Sequence, residues 1–245
     1  MEKLYSIAGL TVRMDSCGRT EKQAEPYLCQ ENKAPDVCIL REEIEQLVTY
    51  QKTMYPGRSE EICEYLSAGA VFYRHLLKFD GLMLHSSAVV VDGRAYVFTA
   101  DCGTGKSTHT SLWLKKFGDR AFILNDDKPA LRLENGVWYA YGTPWSGKHD
   151  ISRNVRVPLA GIAVLERDEE NSIEPFGGIG AIQAIMKQVN RPRAAEYRIL
   201  LMKLMDKLIT QIPVWKLRVN MEPQAAELAY AIMSGSGTDG KEDCI

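Results

Sequence analysis

Residues 83–108 read MLHSSAVVVDGRAYVFTADCGTGKST, and the reading of this stretch decides the fold. Two β-rich runs, residues 83–91 and 95–99, flank Asp92-Gly93, a dipeptide that takes the positive backbone angles of a tight hairpin turn. The runs are expected to pair antiparallel. Directly after them comes Ala100-Asp101-Cys102-Gly103-Thr104-Gly105-Lys106-Ser107-Thr108, a loop of small residues leading into a helical pattern over residues 107–117, with Gly118 as its stop. Strand, glycine-bearing loop and helix, in that order, are the setting of a phosphate-binding loop. The pattern G-x-x-x-x-G-K-[ST] is met except at its first position, where Ala100 stands; alanine is the mildest replacement there provided its φ is negative.

A triphosphate concentrates negative charge, and such a loop turns several backbone N–H groups toward it, Gly103 and Gly105 permitting close approach. Asp101, Cys102, Gly103, Thr104, Gly105, Lys106, Ser107 and Thr108 are accordingly the expected nucleotide-binding residues. Lys106 places an ammonium near the β and γ phosphates, and the Ser107 hydroxyl is placed to ligate Mg²⁺. ATP and Mg²⁺ are the expected cofactors. A plain helix-initiating turn also uses Gly, Ser and Thr, but the flanking strand and helix weigh against that simpler reading.

Beyond the loop, a short apolar run at residues 121–124 ends in Asn125-Asp126-Asp127. Two carboxylates at a strand end can divide the labour of phosphoryl transfer: one holds Mg²⁺, the other accepts the proton of an attacking hydroxyl. Asp126 and Asp127 are both catalytic candidates and Asp126 the metal candidate, with the division of roles left open; an Asx turn leading to Lys128-Pro129 is the alternative. His85, on the strand before the hairpin, either emerges beside the phosphates or is a hydrogen-bonded structural residue next to Ser86 and Ser87. His109, in the first helical turn, reads as a packing or capping group. Residues 142–150, GTPWSGKHD, form a turn-rich loop of the kind that holds substrates. Within it Trp145 either packs a substrate or plugs the core, and Lys148 is a candidate to neutralise transferred charge. Arg191 and Arg193, around Pro192, are either an anion clamp or solvated side chains.

The remaining pattern frames this centre. Alternating apolar residues predict a strand within residues 4–14, and residues 15–36 give no clear signal. Helical spacing recurs over residues 41–55 and 59–79, the second with Ser59 as N-cap and Gly69 on its apolar face, which calls for close packing there. A second hairpin is expected around Asn135-Gly136, then a strand at 159–166, a polar turn at 168–172, helices at 181–189 and 194–210, a strand at 214–219 and a helix at 222–233. The expected fold class is α/β, with a mixed β-sheet flanked by helices, because hairpins surround the one strand-loop-helix unit. The organisation reads as a strand and helical region at 1–80, a nucleotide-binding domain at 81–233 and a disordered tail at 234–245.

Composition narrows the partners. Lys and Arg number 30 against 32 Asp and Glu, for a net charge of -2, and no basic stripe argues for nucleic acid or an anionic membrane. No apolar run approaches a bilayer span, the start lacks the apolar core of a secretion signal, and the six cysteines form no C-x-x-C pair, so a cytoplasmic protein with reduced thiols is expected.

The order of features, a histidine on a strand, a hairpin, Gly-Thr-Gly-Lys-Ser, then Asp-Asp, resembles the HPr kinase/phosphorylase family with its phosphoenolpyruvate carboxykinase-like P-loop fold. The match covers residues 82–167 and looks nearest to small HPr-kinase-related proteins of peptide-modification gene clusters. The resemblance implies catalytic roles for His85, Lys106 and Asp126 or Asp127, a Mg²⁺ role for Ser107, and homo-oligomeric assembly. It implies a kinase acting on a hydroxyl of a small metabolite or of a peptide or protein serine. The alternatives are a nucleotide-binding regulator without transfer chemistry, and a phosphatase or phosphorylase running the reverse reaction. The family's metal-binding glutamate is not placed here: residues 142–150 occupy its region, with Glu166 a weak stand-in, and residues 1–80 do not look like the family's usual N-terminal domain. HPr itself is therefore not the expected substrate.

Overall fold

The computed structural model describes residues 2–30 and 33–235; the expected tail at 234–245 lies, from residue 236 on, outside the described residues. Where one strand is expected within residues 4–14, the chain forms a hairpin of β1 (Lys3–Ile7) and β2 (Leu10–Met14). Ala8 and Gly9 take φ of 51° and 75°, so a two-residue turn reverses the chain without the Asp-Gly or Asn-Gly signature that marks such turns in sequence. A short helix, α1 (Gly18–Ala24), occupies the stretch without a signal, and β3 (Val37–Ile39) runs parallel to β2 to complete a three-stranded sheet. Helices α2 (Arg41–Met54) and α3 (Glu60–Leu76) follow as their spacing predicts, Ser59 Oγ accepting from Ile62 N at the start of α3.

The second sheet begins at β4 (Gly81–Met83), β5 (Ser86–Val91) and β6 (Arg94–Thr99), so the run at 83–91 is two strands interrupted at Leu84 and His85. After α4 (Lys106–Phe117) come β7 (Ala121–Asn125), β8 (Ala130–Glu134), β9 (Val137–Tyr141), β10 (Arg156–Arg167) and β11 (Ser172–Pro175), then α5 (Gly178–Gln188), α6 (Ala195–Gln211), β12 (Val214–Val219) and α7 (Gln224–Met233). The order is β4-β8-β9-β10-β6-β5-β7, with β12 paired to β10 and β11 to β12. Strand β10 joins two parts of this sheet. Its first residues pair antiparallel with β9, while its later ones run parallel to β6 and β12. The result is the mixed sheet with flanking helices that the hairpin pattern implies. Strand β11 was not expected: the polar turn is read at residues 168–172, and the short segment after it, ending in Pro175, carries no strand pattern.

Both faces of the β5–β6 region are covered, which explains the unbroken apolar run AVVV in β5. Ala88 and Val90 share a core cluster with residues of α5 and α6, and Val89 and Val91 share another with residues of α4 and α7. A third cluster joins the N-terminal sheet to α3 and to Ala130, Tyr141 and Trp145. Gly69 on α3 has the packing reason its position calls for. A Cβ there would lie 2.8 Å from the Trp145 ring, which stacks on Phe72 with centroids 5.1 Å apart. Trp145 is fully buried, so its ring fills the core role of the two open to it, and it also lines a small cavity beside α3.

Candidate functional site

The loop after β6 carries its glycines in the conformations a sharp turn demands, Gly103 at φ 81° and Gly105 at φ 112°, while Ala100 is buried and not among the residues with positive φ. Gly105 caps α4, so the first N–H groups of that helix, from Lys106 on, have no carbonyl one turn earlier to bond and present a partial positive charge at the loop. The Lys106 ammonium donates to Ala100 O at 2.9 Å and Asp101 O at 3.3 Å. Burial lowers its pKa from the ordinary lysine range, and the nearby Cys102, Asp127, Asp101 and Asp126 partly offset that. Two side chains outside the motif hold the loop. Arg167, at the end of β10, donates to Thr104 O and Gly103 O at 2.9 and 2.7 Å, and Gln188, at the end of α5, donates to Asp101 Oδ1 at 2.9 Å. Between them opens a cleft of about 510 Å³ lined by residues 100–104, 164–167 and parts of α5.

The Asp-Asp pair sits where β7 ends. Asn125, fully buried, accepts from Asp127 N and Lys128 N through Oδ1, so the Asx turn of the simpler reading is present, with Asn125 as its head. That turn sends the two carboxylates to different partners. Asp126 Oδ1 accepts from Ser87 Oγ at 2.8 Å, and Ser87 in turn meets Thr110 of α4 at 2.9 Å; Asp126 Oδ2 faces His149 Nδ1 at 2.8 Å. Asp127 pairs with His85 Nε2 at 3.1 Å and with the Lys128 ammonium. Burial alone would raise the Asp127 pKa, but the hydrogen bond from His85 and the charge of Lys128 outweigh it and bring it to about 2. His85 Nδ1 lies 3.1 Å from Gln188 Oε1. A continuous path therefore runs from the loop to the acidic pair: Asp101, Gln188, His85, Asp127.

A family model described as SynChlorMet cassette protein ScmC matches residues 55–226. The chain belongs to the ScmC family. The matched region takes in every residue of the loop, the acidic pair and their partners. No curated protein matches it. Among solved structures, the Hpr(Ser) kinase/phosphatase from Coxiella burnetii is similar at 14% identity over 63% of this chain and 95% of that one, with a TM-score of 0.35.

The fold thus brings His85, Lys106, Asp126 and Asp127 to one region, and Lys148 stands between Gly147, packed on Asp127, and His149, bonded to Asp126. Lys148 is exposed on the 142–150 loop, Arg191 is exposed between α5 and α6, and the Arg193 guanidinium lies 4.2 Å over the Tyr50 ring. Arg167, Gln188, Ser87, Thr110 and His149 were missed. Arg167, Gln188 and His149 are ordinary polar residues far from the motif in sequence, brought in by the sheet order and the helix ends, while Ser87 and Thr110 are near it but carry no pattern that marks them.

His109 is a packing group, as its place in the first turn implies. Its Nε2 accepts the Trp113 indole N–H at 3.1 Å, which leaves the proton on Nδ1, buried and without an acceptor among the described residues. Burial pushes its pKa down to about 4. The folded ring is neutral while the unfolded chain takes up a proton near pH 6.5, so its contribution to stability is full above about pH 6.5 and is lost as the pH falls toward 4. That loss is on the order of 3 kcal/mol. Urea midpoints of the His109→Gln variant should change less than those of the parent over this window; equal slopes would overturn the assignment.

Proposed function

We propose that this protein is a Mg-ATP-dependent kinase that transfers the γ-phosphoryl group of ATP to a hydroxyl, on a small metabolite or on a peptide or protein serine. The observation that carries the reading is the bonded path between the two halves of the site. Gln188 holds both Asp101 of the glycine-bearing loop and His85, and His85 holds Asp127, so the groups that would bind a triphosphate and the group that would meet an acceptor share one frame. A phosphate-binding loop alone would support binding only.

Roles follow from the local chemistry. The N–H groups at the start of α4 and the Lys106 ammonium suit phosphate oxygens, the lysine exchanging its loop carbonyls for them. Asp126 fits a metal ligand. Its side chain is nearly inaccessible, yet its Oδ2 partner, His149, is 47% exposed and free to swing away, and Ser107 at the head of α4 supplies a hydroxyl. Mg²⁺ bound with a nucleotide takes most of its ligands from phosphate and water, so one carboxylate and one hydroxyl suffice as protein ligands. Mg²⁺ bound there would offset the charge that develops on the phosphate oxygens. Asp127, ionised at neutral pH, has lone pairs left beyond its bonds to His85 and Lys128 with which to accept the acceptor hydroxyl. The acceptor oxygen bonds to the γ phosphorus as the bond to the ADP oxygen breaks; the electron pair stays on ADP and the hydroxyl proton passes to Asp127.

The test is γ-labelled ATP with Mg²⁺ offered to a mixture of metabolites and serine peptides. Label moving to a hydroxyl compound is the expected result. ATP bound tightly with no transfer to any acceptor would leave a nucleotide-binding regulator in place of the kinase.

A further inference from the structure

A second, smaller cavity of about 170 Å³ is lined in part by Lys128, the residue after Asp127. Its floor is Gly69, Tyr73 and the Trp145 ring, all buried, and its rim includes Leu66, Ala70 and Met83, all half-buried. Lys128 and Asn190 complete it. Three separate segments each carry one residue to this cavity and another to the His85–Asp127 pair. Lys128 lines the cavity and Asp127 precedes it; Met83 lines the cavity and His85 stands two residues on; Asn190 lines the cavity and Gln188 stands two residues back. The latter two segments are joined by an antiparallel bridge between Leu84 and Val189, so Met83, His85, Gln188 and Asn190 flank that bridge on one face. Residues two apart along extended chain are about 7 Å apart. The cavity is therefore one side-chain length from the acidic pair.

We infer that this cavity is the acceptor subsite, and that the phosphorylated hydroxyl belongs to a molecule with an uncharged apolar branch beside that hydroxyl. The inference rests on the kinase reading above and adds what the acceptor must look like. Size argues for a branch and not a whole ligand, since sites for complete small molecules run from about 300 Å³ upward. Chemistry argues for an apolar one. The walls from α3, β4 and Trp145 are hydrocarbon and aromatic ring, and a charged group would leave water here with only Lys128, already paired to Asp127, to meet it. One donor in the wall lacks an acceptor among the described residues, the Trp145 indole N–H, which can serve a carbonyl or ether oxygen on the same branch once the wall adjusts to it. With the branch seated, the hydroxyl oxygen faces Asp127, forms its bond to the γ phosphorus as the bond to ADP breaks, and gives its proton to that carboxylate.

The experiment uses the full chain, Mg²⁺ and γ-labelled ATP with two panels of acceptors. One is serine and threonine peptides with Asp, Lys, Ala, Leu or Met beside the hydroxyl residue; the other is small free alcohols with and without a branched aliphatic group. Whichever panel takes label identifies the source of the hydroxyl. Members with the apolar branch should be labelled about tenfold or more over charged ones. Ala70→Phe, which fills the cavity from α3, should remove that preference and cut labelling of the apolar members by about tenfold, with ATP affinity unchanged. Met83→Phe fills it from β4 and serves if Ala70→Phe fails to fold in a thermal melt. Label on acceptors with no apolar branch, or undiminished labelling by the filled variants, would overturn the inference alone. Loss of ATP binding by the parent protein, or binding without transfer to any member, would overturn the kinase reading and this inference with it.

Discussion

Lys106→Ala should abolish measurable transfer, with ATP affinity reduced by about 10²–10³ and the fold retained. The effect is large because the Lys106 ammonium is the one lysine of the loop, is buried, and is already partly stripped of water, so that its attraction to phosphate oxygens is weakly screened. The fold survives because the ammonium holds only Ala100 O and Asp101 O, while the loop keeps its anchors from Arg167 and Gln188. Removing a desolvated charge also relieves part of its burial cost. Calorimetry with ATP, a labelled-transfer assay and a thermal melt separate these expectations. Unchanged turnover in a folded Lys106→Ala protein would remove the basis for the nucleotide reading.

Asp127→Asn should reduce transfer by about 10²–10⁴ while leaving ATP affinity within a few-fold, because the amide keeps the shape but cannot take the hydroxyl proton. The same substitution has a stability signature. The Asp127 carboxyl sits at about 2 in the folded protein against an ordinary 3.8, so its favourable contribution is full above about pH 4 and is lost as the pH falls through about 2. Its size is on the order of 2 kcal/mol. The variant should be less stable than the parent at neutral pH by up to that amount, since Lys128 and His85 lose their anionic partner, and the two should converge toward pH 2. Denaturant unfolding from pH 7 to 2 reads this. A variant with full transfer activity would remove Asp127 from the chemistry, whatever its stability.

Much of the site was open to sequence reading because its parts are local. The two-residue turns at Asp92-Gly93 and Asn135-Gly136, the glycines that take positive φ at 103 and 105, and the acids placed directly after an apolar strand are all short-range features. The turn at Ala8-Gly9 has the same geometry but lacks the residue signature, and one strand was read where two exist. Trp145 shows the limit from another side. An aromatic in a turn-rich loop suits a substrate contact as well as a core plug, and only the missing side chain at Gly69, seventy-six positions away, decides that the ring fits inside.

Local spacing by itself determined the hairpins, the glycine-bearing loop, the helix it starts, and a mixed sheet built around them, because turn chemistry and side-chain periodicity act over a few residues. It also placed the acids at the end of β7. The tertiary structure decided which groups meet. The parallel pairing of β10 with β6 brings Arg167 to the loop, and the end of α5 places Gln188 between Asp101 and His85. The packing of α3 under residues 83 and 128 shapes the small cavity. Those contacts join residues dozens of positions apart, and sheet order and helix packing, which no short pattern encodes, set their partners.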